Sequence, residues 1–210
     1  LGDKLQGIVL DLRNNPGGLL NQSVSVASAF LDGGTVVSSR GRREGSTREM
    51  DDEDGDLSNA ARVIVLINGG SASASEIVAG ALQDYGRAVV MGTRSFGKGS
   101  VQTIFNMKDD GALKITTAMY YLPKGRLIQK HGLTPDIRIA PETVSKQRRE
   151  TDLKLALKSD GHKDDIAKHE IKEAQCPAAG KEKNDRILGC ALLFLMSKDT
   201  GSFLSRFKLK

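Results

Sequence analysis

Short runs in which nearly every residue is aliphatic alternate along this chain with stretches whose apolar residues recur every three or four positions. Gly7-Ile-Val-Leu-Asp-Leu12 is the first such run and reads as a buried strand. It stops at Asn14-Asn15-Pro16-Gly17-Gly18, a dense turn signal. Leu20, Val24, Ala27, Phe30 and Leu31 then fall on one face of a helix, which predicts a helix within 19–31. Thr35–Ser38 predicts a strand, and the polar, charged Arg40–Asn59 predicts a long surface loop. Arg62–Ile67 predicts a second buried strand. Ala74, Ile77, Val78, Ala81 and Leu82 form a helical stripe that ends near Gly86, and Arg87–Met91 is again strand-like. Val101–Met107 and Ala112–Tyr121 alternate in hydrophobicity around Asp109-Asp110-Gly111, which is a hairpin signal.

Strand, helix, strand, helix, strand in this order predicts an α/β fold with a parallel or mixed sheet and helices packed on it. At 210 residues and 22.6 kDa the chain has room for one domain of ordinary size. Beyond Pro141 the pattern turns helical and highly charged, starting with Val144–Leu157. The expected division is a core over 1–142 and a charged, helical or partly disordered extension over 143–210. The apolar run Ile187–Met196 is too short to cross a bilayer. The first residue is Leu1 and a strand pattern follows almost at once, as expected of a fragment.

The formal charge of +5 arises largely in the lysine-rich C-terminal part, which also holds many acids. Such a mixed-sign run reads as a solvated face or a disordered tail. Nucleic-acid binding calls for a one-sign basic patch with stacking aromatics, and aromatics make up only 4% here, with no Trp. No nucleic-acid partner is expected. Cys176 and Cys190 fit no zinc-ligand spacing, so no metal and no cofactor is expected either, and two thiols do not fix a redox compartment.

Two stretches carry the chemistry. Asn68-Gly-Gly-Ser-Ala-Ser-Ala-Ser-Glu-Ile77 puts Ser71, Ser73 and Ser75 at the start of the second predicted helix. Ser73-Ala-Ser-Glu76 is a capping box by pattern. The same helix start offers unpaired amides and a positive dipole end, which suit a developing oxyanion. A sharp strand-to-helix turn is also how other hydrolases expose a nucleophilic serine, although the pattern does not choose among the three. Gly92-Thr-Arg-Ser-Phe-Gly-Lys-Gly-Ser-Val-Gln102 sets Lys98 between glycines after a strand. A lysine base must shed its proton near neutral pH, which a desolvated pocket favours, and Phe96 and Val101 are at hand to wall one. Gly92 to Lys98 also imitates the front of a phosphate-binding P-loop. Gly99, however, stands where that motif needs Ser or Thr, and the next segment reads as a strand. Of the three histidines, His162 and His169 lie in the charged tail, and His131 sits among turn residues.

The run from Gly7 to about Ile139 resembles the catalytic core of the C-terminal processing peptidases, the tail-specific proteases of the S41 type. Asp11-Leu-Arg-Asn-Asn-Pro-Gly-Gly18, Asn68 to Asp84, Gly92 to Gln102, and Tyr120 to Gln129 with Gly132-Leu-Thr-Pro-Asp136 carry the likeness. The resemblance implies a crotonase/ClpP-like α/β core, Ser73 as nucleophile, Lys98 as general base and Gln102 as the residue orienting the lysine. It implies an oxyanion hole from the amides of Ala74 and Gly18. Further implications are protein or peptide substrates cut near their C-termini, a homo-oligomer, and a periplasmic or inner-membrane setting reached through an N-terminal region outside this sequence. Members usually carry a PDZ domain ahead of this core, which the sequence lacks.

Overall fold

The computed structural model describes residues 5–43, 45–52, 55–108, 110–142, 149–154, 166–180 and 184–207. Its centre is a five-stranded, wholly parallel sheet. The strands are β1 (Gly7–Asp11), β4 (Arg62–Ile67), β5 (Ala88–Gly92), β8 (Ile137–Ala140) and β9 (His169–Lys172), lying side by side in that order. A parallel strand in such a sheet is covered on both faces, which is why Arg62–Ile67 reads as an unbroken aliphatic run. Val63, Val65 and Ile67 point to one core and Ile64 and Leu66 to the other, all five at most 3% exposed.

The first core is shared by α1 (Leu20–Ser28) and α2 (Ala74–Asp84). Residues of a second, antiparallel sheet join them there. Its strand order is β3 (Arg48–Asp51), β2 (Thr35–Gly41), β7 (Ala112–Tyr121) and β6 (Ser100–Asn106). Gly80 lets α2 pack directly on Leu122, since a Cβ there would fall 2.5 Å from Leu122 Cδ2. The second core gathers Met91, Ile137, Ile139 and Ile171 under α3 (Arg186–Leu195) and α4 (Thr200–Leu204). Phe194, Phe203 and Phe207 stack edge to face within it. Cys176 and Cys190 form a disulfide in the same core.

Three sequence expectations change. The surface loop Arg40–Asn59 contains the end of β2 and all of β3, which is hidden from pattern reading because only Met50 of Arg-Glu-Met-Asp packs against the core. An edge strand of this kind is held by backbone pairing to β2. The charged extension is no appendage. β9 extends the central sheet through pairs such as Ile139 with Ile171, and α3 covers the face that β1, β4 and β5 would otherwise leave bare. Only Ile171 in β9 is apolar and buried, so four residues gave too little periodicity to register. Most of the helix expected over Val144–Leu157 lies outside the described residues, and within it Glu150–Asp152 is a 3-10 turn. No described helix is long and apolar enough to cross a membrane.

Candidate active site

Ligands of open parallel sheets sit beyond the carboxyl ends of the strands. Here β1, β4 and β5 are adjacent, and the three loops leaving them are the sequence stretches singled out above: 12–19, 68–73 and 93–99. Hydrogen bonds lock the first two together. Asn68 Oδ1 accepts from the amides of Asn14 and Gly70, each at 2.9 Å, and Asn68 Nδ2 donates to Asn14 Oδ1 at 3.0 Å. The Asn15 carbonyl accepts from Ala72 N and from Ser75 Oγ, both at 3.0 Å.

The three serines now separate. Ser71 is fully buried, donating to the Leu12 carbonyl at 2.7 Å and accepting from Asn68 N at 2.9 Å. Ser75 is spent on Asn15. Ser73 is half-buried and its hydroxyl makes no capping bond. Its backbone sits at φ 57°, ψ −116°, a conformation that costs a residue with a Cβ about 1–3 kcal/mol and persists only where the surroundings impose it. Of the expected capping box, the return bond is made: Ser73 N donates to Glu76 Oε2 at 2.8 Å.

Glu76 does far more than cap. It is fully buried and accepts four hydrogen bonds, from Ser73 N and Lys98 N on Oε2 and from Ser95 Oγ and Gly97 N on Oε1. Lys98 N lies 3.0 Å from the same oxygen that holds Ser73 N. The two backbones therefore cannot be farther apart than the sum of those two short distances. Burial pushes the Glu76 carboxyl up, and its four donors pull it back. Four donors match the acceptor capacity of an ionised carboxylate. Sequence reading saw Glu76 only as a cap. The signal that could have found its larger role was an acid on an otherwise apolar helix face.

The Lys98 loop is held at every step. The Ser95 amide donates to Leu133 O, Phe96 to Ser71 O, Gly97 and Lys98 to Glu76, and Gly99 to Gln129 Oε1. Five successive amides committed to internal acceptors leave none to cradle a phosphate, and the loop runs into β6 rather than a helix, so the P-loop reading fails. Gly99 is required by space: a Cβ there would stand 2.4 Å from Gln129 N. His131 lies behind this loop, where the neighbouring Lys130 N donates to Gly97 O at 2.8 Å. Gln102 is exposed on β6, just past a bulge that resets its register, and its side chain bonds no described residue.

Opposite Ser73, a Cβ on Gly17 would fall 2.9 Å from Ala74 N and 3.0 Å from Ser73 Cβ. The Gly17 amide is taken by Asn15 Oδ1 at 3.0 Å. The amides of Gly18 and Ala74 make no hydrogen bond among the described residues; Ala74 is the first residue of α2, where an amide has no intrahelical acceptor. Next to them is a hollow of about 160 Å³ with Leu12, Leu19, Val26 and Val78 in its walls. Among the described residues no cluster of His, Cys, Asp and Glu could hold a metal ion.

A sequence model of peptidase family S41 matches residues 1–139. The chain belongs to that family. It is 62% identical over 135 residues to the carboxy-terminal-processing protease of Bartonella bacilliformis, a match covering 64% of this chain and 31% of that protein. It is 44% identical over 134 residues to carboxyl-terminal-processing peptidase 3, chloroplastic, of Arabidopsis thaliana, covering 64% of this chain and 26% of that one. Among solved structures it resembles a photosystem II D1 C-terminal processing protease, with 38% identity and a TM-score of 0.60 over 64% of this chain and 34% of the other. A Bacteroides fragilis S41 protease structure shares the fold over 90% of this chain and 44% of its own, at 18% identity and a TM-score of 0.58. The chain spans about a quarter to a third of the length of the curated relatives it matches.

Proposed function

We propose that this chain carries the catalytic machinery of a serine endopeptidase that cuts protein substrates near their C-termini by Ser-Lys acyl transfer. The observation that carries the reading is the single Glu76 oxygen bonded to the backbone of both Ser73 and Lys98. In this mechanism Ser73 Oγ attacks the scissile carbonyl while neutral Lys98 takes its proton. The oxyanion is received by the free amides of Gly18 and Ala74, at the positive end of α2. Lys98 then returns the proton to the leaving amine, and water releases the acyl group from Ser73. The apolar hollow beside Gly18 seats an apolar substrate side chain next to the scissile bond.

The Cys176–Cys190 disulfide supports an oxidising setting such as the periplasm, because cytosolic thiols are kept reduced. The test of the catalytic reading is cleavage of an unstructured peptide with an apolar C-terminus, with products identified by mass. Wild type should cut it, and Ser73→Ala and Lys98→Ala should each leave it intact. Equal cleavage by all three would remove the dyad.

A further inference from the structure

Chain from beyond the family-matched residues returns to the candidate site. Glu150, in the 3-10 turn Glu150–Asp152, lies past residue 139, yet its amide donates to the Phe96 carbonyl at 3.2 Å. Its carboxylate accepts from Gln129 Nε2 at 3.1 Å. Gln129 is fully buried, and its other end, Oε1, accepts from Gly99 N at 2.9 Å. Lys98 is thus flanked by two backbone groups tied to Glu150, one directly at Phe96 and one through a single buried amide at Gly99.

The chemistry of the link fixes its direction. A glutamine amide has one donor end and one acceptor end, and a carboxylate only accepts. Glu150 therefore claims the NH2 end of Gln129 and leaves the carbonyl end facing Gly99 N. Without Glu150 the buried NH2 loses its acceptor. A flip of the amide would then set a donor against the Gly99 donor, which is costly in a site shut off from water. The close approach of Gly99 to the Gln129 backbone means that a shift in either is passed to the other.

We propose that Glu150 is a positioning residue for Lys98, acting through Gln129, so that the C-terminal segment completes the active site. The proposal deepens the Ser73–Lys98 reading and rests on it. Glu150→Ala should lower kcat on the order of ten- to a hundredfold, since small misplacements of a catalytic group are that costly. KM should stay within about twofold, because no substrate contact is removed. The pH at which the rate reaches half its plateau should move, and hydrogen exchange at the amides of Lys98 and Gly99 should quicken. Glu150→Gln keeps an acceptor for Gln129 Nε2 and should restore most of the rate.

Wild-type kcat, pH profile and loop exchange in Glu150→Ala, while Ser73→Ala and Lys98→Ala are inactive, would overturn the proposal and leave the dyad standing. A fall in rate matched by a lower folded fraction and faster exchange throughout the chain would overturn it as well. Should Ser73→Ala or Lys98→Ala cleave like wild type, the dyad falls, and exchange at Gly99 alone decides whether Glu150 holds the loop. Unchanged exchange there rejects it.

Discussion

Gly17→Ala is the sharpest test of how the site is built, with Gly18→Ala as its partner. Gly17 sits at φ +102°, and an added Cβ would lie 2.7 Å from Ala72 O, 2.9 Å from Ala74 N and 3.0 Å from Ser73 Cβ. Two of those three neighbours are backbone atoms of the turn that holds Ser73, so no side chain can swing aside. Strain at a φ that L-residues avoid costs about 1–3 kcal/mol, and forcing a methyl into packed backbone costs a similar amount. The expected loss is about 3 kcal/mol, which for a chain of this size lowers Tm by roughly 6–12 °C. The shift also displaces Ser73, so peptide cleavage should fall far more than the folded fraction does. Gly18 has nothing within 4 Å of its would-be Cβ and no positive φ. Gly18→Ala should therefore melt at the wild-type temperature. Thermal unfolding by circular dichroism reads both variants, and equal Tm losses for the two would refute the geometric reasoning.

Ser71→Ala should cost about 2 kcal/mol, because Leu12 O and Asn68 N lose their buried partner, whereas Ser73→Ala should abolish cleavage with Tm unchanged. Melting curves and the peptide assay on the two variants check this pair. Glu76→Gln puts an NH2 group against a ring of donors, so both stability and activity should drop, and wild-type values of both would contradict its role as the shared anchor. Reducing the Cys176–Cys190 bond, which closes a short loop, should cost about 3 kcal/mol, read as a lower Tm with a phosphine reductant present. Asp185 is held below the usual carboxylate range chiefly by the Arg13 guanidinium, which it meets at 2.6 Å and 3.0 Å. A depressed folded-state value stabilises above the unfolded value of about 3.9 and is lost as pH falls through the folded one. The Tm gap between wild type and Asp185→Ala should be full at pH 7 and narrow progressively as pH falls below about 4.

Local pattern was enough for the elements that build the site. β4 and β7 fall where their aliphatic and alternating runs predicted, and α1, α2, β1, β2, β5 and β6 overlap their predicted spans. Short elements escaped because their burial comes from neighbours. β3 and β9 each offer one buried or half-buried apolar side chain, and β8 offers only Ile137 and Ile139, too few to set a period. The choice among Ser71, Ser73 and Ser75 was equally beyond local reading, since all three share one helix start. It turns on which hydroxyl finds a backbone partner sixty or so positions away, as Ser71 and Ser75 do.

The amino-acid order by itself determined the strand–turn–helix units, the glycine-bracketed lysine and the serine-rich helix start, because periodicity and turn chemistry act over a few residues. Tertiary structure alone decided that Glu76 joins the serine and lysine segments and that Asn15 and Asn68 knit two turns. It also decided that Glu150 and Asp185, far along the chain, reach back to Gln129 and Arg13. The Glu76, Asn15 and Asn68 contacts depend on three adjacent parallel strands delivering their loops to one edge of the sheet, and strand adjacency is a property of the folded chain.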